Sequence, residues 1–374
     1  MAAERFIGAL SGTSLDGIDL VLTEISAQGE IRQLDAFNAS FPEHLRNSLK
    51  RLCTPGSDEI IHLGQADRRF AEAVAQGVQT LLERNALDAS AIRAIGHHGQ
   101  TIRHHPELDP GFSLQIGCSH TLAAKTGIDV IGQFRQKDIA LGGEGAPLAP
   151  VFHHWVFADT CETRIVANIG GIANISVLPP KTSDTPILGY DTGPGNTLLD
   201  HWVQHHHQQH YDVGGRWAAS GTVHEGLLAT LLSDPYFARS APKSTGREYF
   251  TSNWLHQRLE RFESIAPADV QATLLELTAQ SLTTAIQSHL SDSQMTVYIC
   301  GGGAHNSELI TRCKALLPDV SLQTTDTLGV NVDWVEGTLF AWLAWAYVQG
   351  LTLDLTAVTG ASRPARLGAY FPKD

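Results

Sequence analysis

The chain has 374 residues, of which 43% are hydrophobic and 17% charged, and this balance excludes an intrinsically disordered protein. At roughly 150 residues per domain, the length predicts two domains. A formal net charge of −13 argues against an electrostatic surface for nucleic acid, but it does not exclude nucleotides, which local amides and a metal ion can hold.

The cysteines and the apolar segments bear on the cellular location. The 5 cysteines form an odd set without a Cys-x-x-Cys pair, so they predict neither a disulfide framework nor a cysteine zinc site. The N-terminal apolar patch breaks at Ser11, unlike a secretory signal, and residues 338–351 are too few for a comfortable bilayer span. We therefore expect a cytoplasmic protein with reduced thiols and no membrane partner.

Residues 6–25 predict the first element, a pair of strands joined by a turn of small and hydroxyl-bearing residues. Glycine and hydroxyl groups in such a turn favour phosphate binding by backbone N–H groups, although an ordinary hairpin with a polar turn is the alternative. The candidate ligand-binding residues of this turn are Ser11, Gly12, Thr13, Ser14, Leu15, Asp16 and Gly17.

A strand predicted at residues 92–96 leads into the segment GHHGQTIRHH. The four histidines of this segment suggest a metal site, but no His-Glu-x-x-His pattern accompanies them. We therefore favour hydrogen bonding to a substrate at the strand end. Further along, the Gly-rich loop of residues 133–150 places Arg135 beside backbone that can approach a ligand, and this loop is a natural domain junction.

Residues 164–200 repeat the organisation of the N-terminal segment. Two strands rich in Ile and Val meet at Gly170 and Gly171, whose missing side chains leave room for an anion. A further strand runs into Asp191, within the segment GYDTGPGN, before a helix. A carboxylate beside an anion cradle suggests a base that activates a nucleophile in phosphate chemistry. The alternative is an Asp that caps the helix or fixes an Asx turn.

Two further candidates lie in the last quarter of the chain. Residues 296–300 predict a buried strand that ends at Gly301, Gly302 and Gly303, where the backbone could pack against a flat group such as adenine. Glu336 begins an apolar helix, so it is either a ligand-binding residue or an N-terminal acid favoured by the helix dipole.

Seven segments occur together in one order, and together they resemble the anhydro-N-acetylmuramic acid kinase family. They are SGTSLDGID, GHHGQT, FRQKDIALGGEGAPLAP, NIGGIAN, GYDTGPGN, CGGGAHN and VEGTLFAWLA, and they extend from Ser11 to Ala344. No single Gly-rich motif among them is specific, whereas seven in family order are.

The resemblance implies an α/β fold of two related domains of the sugar kinase/Hsp70/actin (ribonuclease H-like) type, with ATP and Mg²⁺ in an interdomain cleft. We expect residues 1–127, joined by residues 359–374, to form the first domain and residues 128–358 the second. The resemblance also implies a homodimer in the bacterial cytoplasm that acts in peptidoglycan recycling. The implied reaction converts 1,6-anhydro-N-acetylmuramic acid, ATP and water into N-acetylmuramic acid 6-phosphate and ADP.

The resemblance further implies residue roles. Asp191 matches the catalytic base, Arg135 and Glu336 match the substrate site, and the GHHGQT motif adds Gln100 and Thr101 as substrate-binding candidates. The residues that match ATP-binding loops are Ser11, Gly12, Thr13, Ser14, Leu15, Asp16, Gly17, Ile18, Gly170, Gly171, Gly301, Gly302 and Gly303.

One position departs from the family pattern. Gln133 stands where the family has an acid before Phe-Arg, so any contribution of that acid to the metal or sugar site is lost here. The metal ligands stay unassigned.

Three other functions are compatible with parts of the sequence. An ordinary hydroxyl sugar kinase of the same fold would use Asp191 to deprotonate a hydroxyl group. An ATP-gated chaperone-like or filament-forming protein would need no base for a small substrate. A histidine-metal hydrolase would hold stoichiometric transition metal.

Overall fold

The computed structural model describes residues 3–12, 15–241, 243–246, 248–262, 264–290 and 295–374. The chain divides into two compact units, which we call unit 1 (residues 1–152 and 334–374) and unit 2 (residues 153–333). Within the described ranges, no helix combines the length and apolar character needed to cross a membrane.

Strands and helices alternate along the chain, as in other α/β proteins. The strands are β1 (Glu4–Ser11), β2 (Ile18–Ile25), β3 (Ile31–Ala39), β4 (Ala94–His105), β5 (Phe112–Ile116), β6 (Val130–Gly132), β7 (Thr163–Ile169), β8 (Ile172–Leu178), β9 (Leu188–Pro194), β10 (Met295–Cys300), β11 (Ser321–Thr324) and β12 (Ala369–Phe371). The helices are α1 (Glu43–Leu52), α2 (Glu59–Arg84), α3 (Ser119–Thr126), α4 (Gln136–Ile139), α5 (Ala149–Phe157), α6 (Thr197–His207), α7 (Arg216–Ser220), α8 (Glu225–Leu232), α9 (Ser252–Leu259), α10 (Pro267–Gln287), α11 (Ser307–Leu316), α12 (Val335–Val348) and α13 (Thr356–Thr359).

The two units contain sheets with the same strand order. In unit 2 the order is β11-β10-β7-β8-β9: β7, β8 and β9 are antiparallel neighbours, and β10 and β11 continue the sheet in parallel from β7. In unit 1, β1, β2 and β3 are antiparallel neighbours, and β4 and β6 continue in parallel from β1. β12 and β5 add antiparallel partners to β6 and β4. The expectation of two related α/β domains of the ribonuclease H-like type is therefore confirmed.

Each unit has its own hydrophobic core. In unit 1, Phe70 and Val74 on α2 pack against sheet residues such as Ile7 and Leu20. In unit 2, the sequence predicts an amphipathic helix at residues 270–290, and the structure places α10 there with most of its residues buried. α10 is enclosed because it contacts β8 and β9 together with α6, α7, α8 and α11.

The boundaries of the units differ from the predicted domain boundaries of residues 1–127 with 359–374, and 128–358. Residues 128–152 and 334–358 lie in unit 1. The reason is pairing across long sequence separations: β6 hydrogen-bonds to β4 and β12, and α12 packs on β1, β2 and β4.

α12 approaches the sheet of unit 1 so closely that side chains are excluded at two strand positions. A Cβ atom added to Gly8 would lie 1.8 Å from the carbonyl oxygen of Gly337, and one added to Gly96 would lie 1.8 Å from that of Phe340. Because both neighbours are helix backbone, neither can rotate away, so glycine is the residue that permits this contact.

We expect Gly96→Ala to destabilise the chain by about 1–3 kcal/mol or more, because the added methyl overlaps the backbone of α12. Urea denaturation measures this change in the free energy of unfolding. Gly64→Ala is the matched control: Gly64 lies inside α2 with nothing within 4 Å of an added Cβ. It should stabilise the chain by about 0.5–1 kcal/mol. Equal effects of the two substitutions would refute the close approach of α12.

Candidate functional site

Asp191 lies in β9 and is held by a segment distant in the chain. Its backbone N–H donates to the carbonyl of Lys243 (3.0 Å), and its carbonyl accepts from the hydroxyl of Tyr236 (2.7 Å). Its carboxylate Oδ2 accepts from the backbone N–H of Thr245 (2.9 Å). The N-cap residue of the following helix α6 is Asn196. Asp191 is therefore neither the cap of that helix nor the centre of an Asx turn in these contacts.

The environment of Asp191 makes its carboxyl a weaker acid. Burial raises its pKa from 3.8 to about 6, the N–H of Thr245 acts in the opposite direction, and the like charge of Glu248 adds to the rise. A carboxylate with a pKa near neutrality is suited to accept a proton at physiological pH. Neither Tyr236 nor the contact from Thr245 was predicted for this site, since nothing in the local sequence of β9 points to them.

The turn at Gly170 and Gly171 is joined to the start of α6 by backbone hydrogen bonds. The carbonyl of Gly171 accepts from the N–H groups of Gly195 and Thr197, and the carbonyl of Gly170 accepts from that of Asn196 (2.9, 3.1 and 2.8 Å). A Cβ added to Gly195 would lie 2.3 Å from the carbonyl oxygen of Gly170, so the fold itself requires Gly195. At Gly170 the nearest atom would be 3.6 Å away. The space beside Gly170 is thus free for a ligand.

Gly301, Gly302 and Gly303 follow β10, next to the end of its parallel neighbour β7. Cβ atoms added to Gly301 and Gly303 would lie 2.4 Å from Asn168 Oδ1 and 2.2 Å from Ile169 Cγ2, so these two glycines are required for packing. One added to Gly302 would meet nothing closer than 3.8 Å. Of the three glycines, Gly302 is therefore the one that leaves space open. We call Gly170, Gly171, Gly301, Gly302 and Gly303 the glycine edge of unit 2.

In unit 1, the predicted phosphate turn follows β1, and its Thr13 and Ser14 lie outside the described residues. Ser11 Oγ and Gln100 Oε1 are buried at paired positions of β1 and β4, and neither has a hydrogen-bond partner among the described residues. Buried polar groups are normally hydrogen-bonded, so this pair of atoms indicates a place where a ligand or water binds. Gln100 Nε2 donates to the carbonyl of Gly12 (3.3 Å), which ties the turn to β4.

The remaining residues of this turn contribute mainly to its shape. Leu15 and Ile18 are buried in the core of unit 1, and Asp16 is exposed. Leu15 has a φ of 57°, in the left-handed region. A Cβ on Gly17 would lie 2.2 Å from Asn38 Oδ1, so glycine is needed there for packing.

Arg135 is fixed in unit 1 by His98 and a backbone carbonyl. Its Nε and Nη2 lie 3.1 and 3.0 Å from His98 Nε2, and its Nη1 donates to the carbonyl of Gly145 (2.9 Å). Burial lowers the Arg135 pKa to about 10, while Glu336 and Asp138 act to raise it. Burial, followed by the charge of Arg135, also lowers the pKa of His98, so the imidazole stays neutral and can accept from the guanidinium.

The other predicted substrate residues are also in unit 1. Glu336 is exposed in the first turn of α12, and Thr101 Oγ1 accepts from Gln115 Nε2 (3.2 Å). Gln133, at the position that departs from the family pattern, is exposed with a φ of 57°.

The histidines of the GHHGQTIRHH segment are paired with ordinary hydrogen-bonding groups. Nδ1 of His97 lies 3.3 Å from Ser119 Oγ, that of His104 lies 3.0 Å from Ser113 Oγ, and that of His105 lies 3.0 Å from Glu107 Oε1. In the part of the chain that the structure describes, no group of three or more His, Cys, Asp or Glu side chains could hold a metal ion.

Comparison with known proteins gives matches over nearly the whole length. The family model described as Anhydro-N-acetylmuramic acid kinase matches residues 4–373. The protein of Shewanella woodyi named anhydro-N-acetylmuramic acid kinase is 49% identical over 372 residues, and the match covers 100% of both chains. Proteins of the same name from Shewanella amazonensis and Shewanella oneidensis are each 50% identical, over 372 and 367 residues, with 100% and 98% of both chains covered.

The raised pKa of Asp191 predicts a specific pH dependence of stability. The folded chain binds the Asp191 proton more tightly than the unfolded chain does, so this group favours folding below pH 3.8 and loses that contribution as the pH rises through about 6. Asp191→Asn removes the titrating carboxyl, and with it this loss of stability at rising pH. The free energy of unfolding of the variant, relative to the parent, should therefore increase by about 2.5 kcal/mol between pH ~4 and pH ~7.5.

Denaturant titrations of both proteins at the two pH values measure this difference. A difference that is the same at both values would show that the carboxyl has an ordinary pKa in the folded chain.

Proposed function

Because the chain belongs to the anhydro-N-acetylmuramic acid kinase family, we propose a role for each part of the candidate site in the reaction of that family. The chain is an ATP-dependent sugar kinase that acts on a small molecule. The proposed reaction opens the anhydro bridge of 1,6-anhydro-N-acetylmuramic acid with water and transfers the γ-phosphate of ATP to O6. Its products are N-acetylmuramic acid 6-phosphate and ADP, formed in peptidoglycan recycling.

The observation that carries this proposal is the environment of Asp191. Opening the bridge requires water to attack the anomeric carbon, and a carboxylate within hydrogen-bond reach can take the proton of that water. The C1–O6 bond breaks, and O6 attacks the γ-phosphorus of ATP. The bond between the γ-phosphorus and the oxygen that bridges it to the β-phosphate breaks as the new bond forms, and ADP leaves. The pKa of about 6 keeps Asp191 ionised at neutral pH yet basic enough to accept the proton.

We propose that the turn of residues 11–18 and the glycine edge bind ATP. Ser11 Oγ and Gln100 Oε1 are buried without partners among the described residues, and the backbone at Gly170 and Gly302 is open to a ligand. Unobstructed amides can donate to phosphate oxygens, and backbone without a side chain can approach a flat base.

Mg²⁺ is proposed to accompany ATP. Bound to the phosphates, it would neutralise charge during phosphoryl transfer. Mg²⁺ usually keeps several water ligands and takes one or two carboxylates beside substrate phosphates. The absence of a three-residue ligand cluster from the described ranges is compatible with this mode, and we assign no protein ligand to the ion.

We propose that Arg135 and Glu336, with Gln100 and Thr101, position the sugar. The guanidinium of Arg135 is fixed by His98 and the Gly145 carbonyl, which suits it to pair with the carboxylate that muramic acid carries. Glu336 is exposed at the start of α12, where an acid is accessible to the hydroxyl groups of a sugar.

Family membership supports two further proposals, a homodimeric assembly and a cytoplasmic location. Sedimentation of the purified chain measures the first, and fractionation of cells that express it measures the second.

We expect Asp191→Asn to lower kcat by about 10²–10⁴-fold, because it removes the proton acceptor while keeping the size of the side chain. Binding of ATP and sugar, measured by calorimetry, should persist, since the proposed binding residues are unchanged.

Turnover of the parent chain in ¹⁸O-water provides the accompanying test. The label should appear in the C1 hydroxyl of the product and not in the transferred phosphate. Label in the phosphate would mean that water attacks ATP instead. An unlabelled product would favour an ordinary hydroxyl kinase, in which Asp191 deprotonates a sugar hydroxyl.

We expect Gly302→Val to weaken ATP binding by about tenfold or more, because its side chain fills the space proposed for the nucleoside. The free energy of unfolding should change by less than about 1 kcal/mol, since an added Cβ meets no close neighbour. Gly56→Val is the control, because Gly56 also has nothing within 4 Å of an added Cβ and lies between α1 and α2. Calorimetric titration with ATP compares the two, and equal affinities would refute the assignment of Gly302.

A further inference from the structure

Asp191 is contacted by one stretch of unit 2, the described residues 236–241, 243–246, 248 and 249, which we call the strap. The strap supplies the hydroxyl of Tyr236 to the Asp191 carbonyl, the carbonyl of Lys243 to its N–H, and the N–H of Thr245 to its carboxylate. Pro242 and Arg247 fall within the same stretch of sequence but lie outside the described residues, so they are not counted in the strap. The position of the strap therefore determines these three hydrogen bonds of Asp191.

Both ends of the strap are attached to Asp234, which is 4% exposed. Asp234 Oδ1 accepts from the N–H of Tyr236 (2.9 Å) and from the hydroxyl of Tyr249 (2.8 Å). Asp234 Oδ2 accepts from Trp254 Nε1 (2.9 Å) and from Arg258 Nη2 (2.5 Å), and both of these residues lie in α9. One carboxylate thus connects the first residue of the strap, its last residue and a helix.

The bonds to Asp234 favour its charged form. Burial by itself raises the pKa of the Asp234 carboxyl, but the donors from Tyr236, Trp254 and Tyr249 and the charge of Arg258 outweigh it and leave the pKa below 3.8. The guanidinium group of Arg258 in turn packs on Trp254, with its central carbon 3.9 Å from the centre of the ring. Asp234 is therefore an ionised anchor that accepts four hydrogen bonds, whereas the Asp191 carboxylate accepts one from Thr245.

We propose that Asp234 is a positioning residue of the reaction: it closes the strap against Asp191, so that the strap excludes water from the base and aims the Thr245 N–H at its carboxylate. The inference rests on the proposed role of Asp191 as the base. It assigns Asp234 no contact with the substrate.

Several charged or titratable groups surround Asp191. Glu248 on the strap adds to the rise of the Asp191 pKa. Lys243 Nζ lies 4.7 Å and the Arg239 guanidinium 6.0 Å from the centre of the Tyr236 ring. From the sheet side, the neighbour of Asp191 in β9 is Tyr190, whose hydroxyl lies 2.8 Å from His289 Nε2.

These contributions predict the direction in which the Asp191 pKa changes when the strap is loosened. Burial is the largest cause of the raised Asp191 pKa, and the strap also brings Glu248. A loosened strap admits water and moves Glu248 away, so the Asp191 pKa falls toward 3.8. Loss of the Thr245 bond acts in the other direction but is the smaller influence.

The test is the pH dependence of kcat for Asp234→Asn in the full chain, with Mg-ATP and 1,6-anhydro-N-acetylmuramic acid. The amide turns a donor toward Trp254 and Arg258, which are themselves donors, so the anchor is lost with little change in size. We expect the acidic limb of the kcat profile to move down by about one pH unit, and kcat at the optimum to fall about tenfold, with KM for ATP unchanged.

Glu276→Gln is the matched control. Glu276 is 3% exposed and, like Asp234, pairs with an arginine, Arg312, in unit 2. Its hydrogen bonds are to Arg312 and Gln280, whereas Asp234 bonds to two residues of the strap. It should lower the melting temperature while leaving the acidic limb in place. If the limb of Asp234→Asn stays in place or moves up while its melting temperature falls, Asp234 stabilises the fold only, and the inference is overturned.

A second variant covers the case in which Asp234→Asn does not fold. Tyr249→Phe removes one donor at a side chain that is 42% exposed, and it leaves Asp191 untouched. The acidic limb should move down by about half a pH unit, and an unmoved limb in this folded variant would overturn the inference.

Asp191→Asn distinguishes failure of the proposed base from failure of the proposed role of Asp234. If that variant keeps full activity, the proposed base is wrong, whereas an inactive Asp191→Asn with an unmoved limb in the strap variants refutes only the role of Asp234.

Discussion

Contact between backbone atoms, with no side chain between them, is the constraint on which the rest of this fold depends. In unit 1 it occurs where α12 lies on β1 and β4, at Gly8 and Gly96. In unit 2 it occurs where Gly195 packs on the carbonyl of Gly170. Backbone at this separation cannot shift without overlap, so the strand ends and the helix starts that follow them have fixed positions. The polar groups carried by those ends are fixed as a result.

Three acids of unit 2 show two different environments for a carboxylate. Asp234 accepts from four donors, including Arg258, and its pKa is held below the usual value. Glu276 accepts two bonds from Arg312. The carboxylate of Asp191 accepts from the N–H of Thr245, and burial raises its pKa to about 6. Asp234 and Glu276 are thus each paired with an arginine, whereas the raised pKa of Asp191 suits it to the proposed role of proton acceptor.

The two units use one strand order for different chemistry. In unit 1 the side chains are polar: Ser11 ends β1 and is buried beside its partner Gln100 in β4, and Arg135 follows β6. In unit 2 glycines after β7 and β10 leave the backbone open, and Asp191 is the acid within β9. The shared topology provides the positions, and the residues at the strand ends decide what each position can do.

The sequence by itself determined the local parts of this protein. Runs of Ile and Val, glycine turns and helical periodicity predicted the strand pairs of both units and a strand that leads into Asp191, because these features depend on neighbouring residues. The prediction ended that strand at Asp191, whereas β9 continues to Pro194. The family motifs added the type of fold and the reaction. Only the tertiary structure decided the extent of the two units, since β6 and α12 join unit 1 through contacts with residues far away in the chain. It also decided what surrounds Asp191. Thr245, which donates to the Asp191 carboxylate, is 54 residues away in the chain, and Asp234 is connected to Asp191 through the strap. No local pattern records such contacts, because burial and pKa arise from side chains and amides that folding alone brings together.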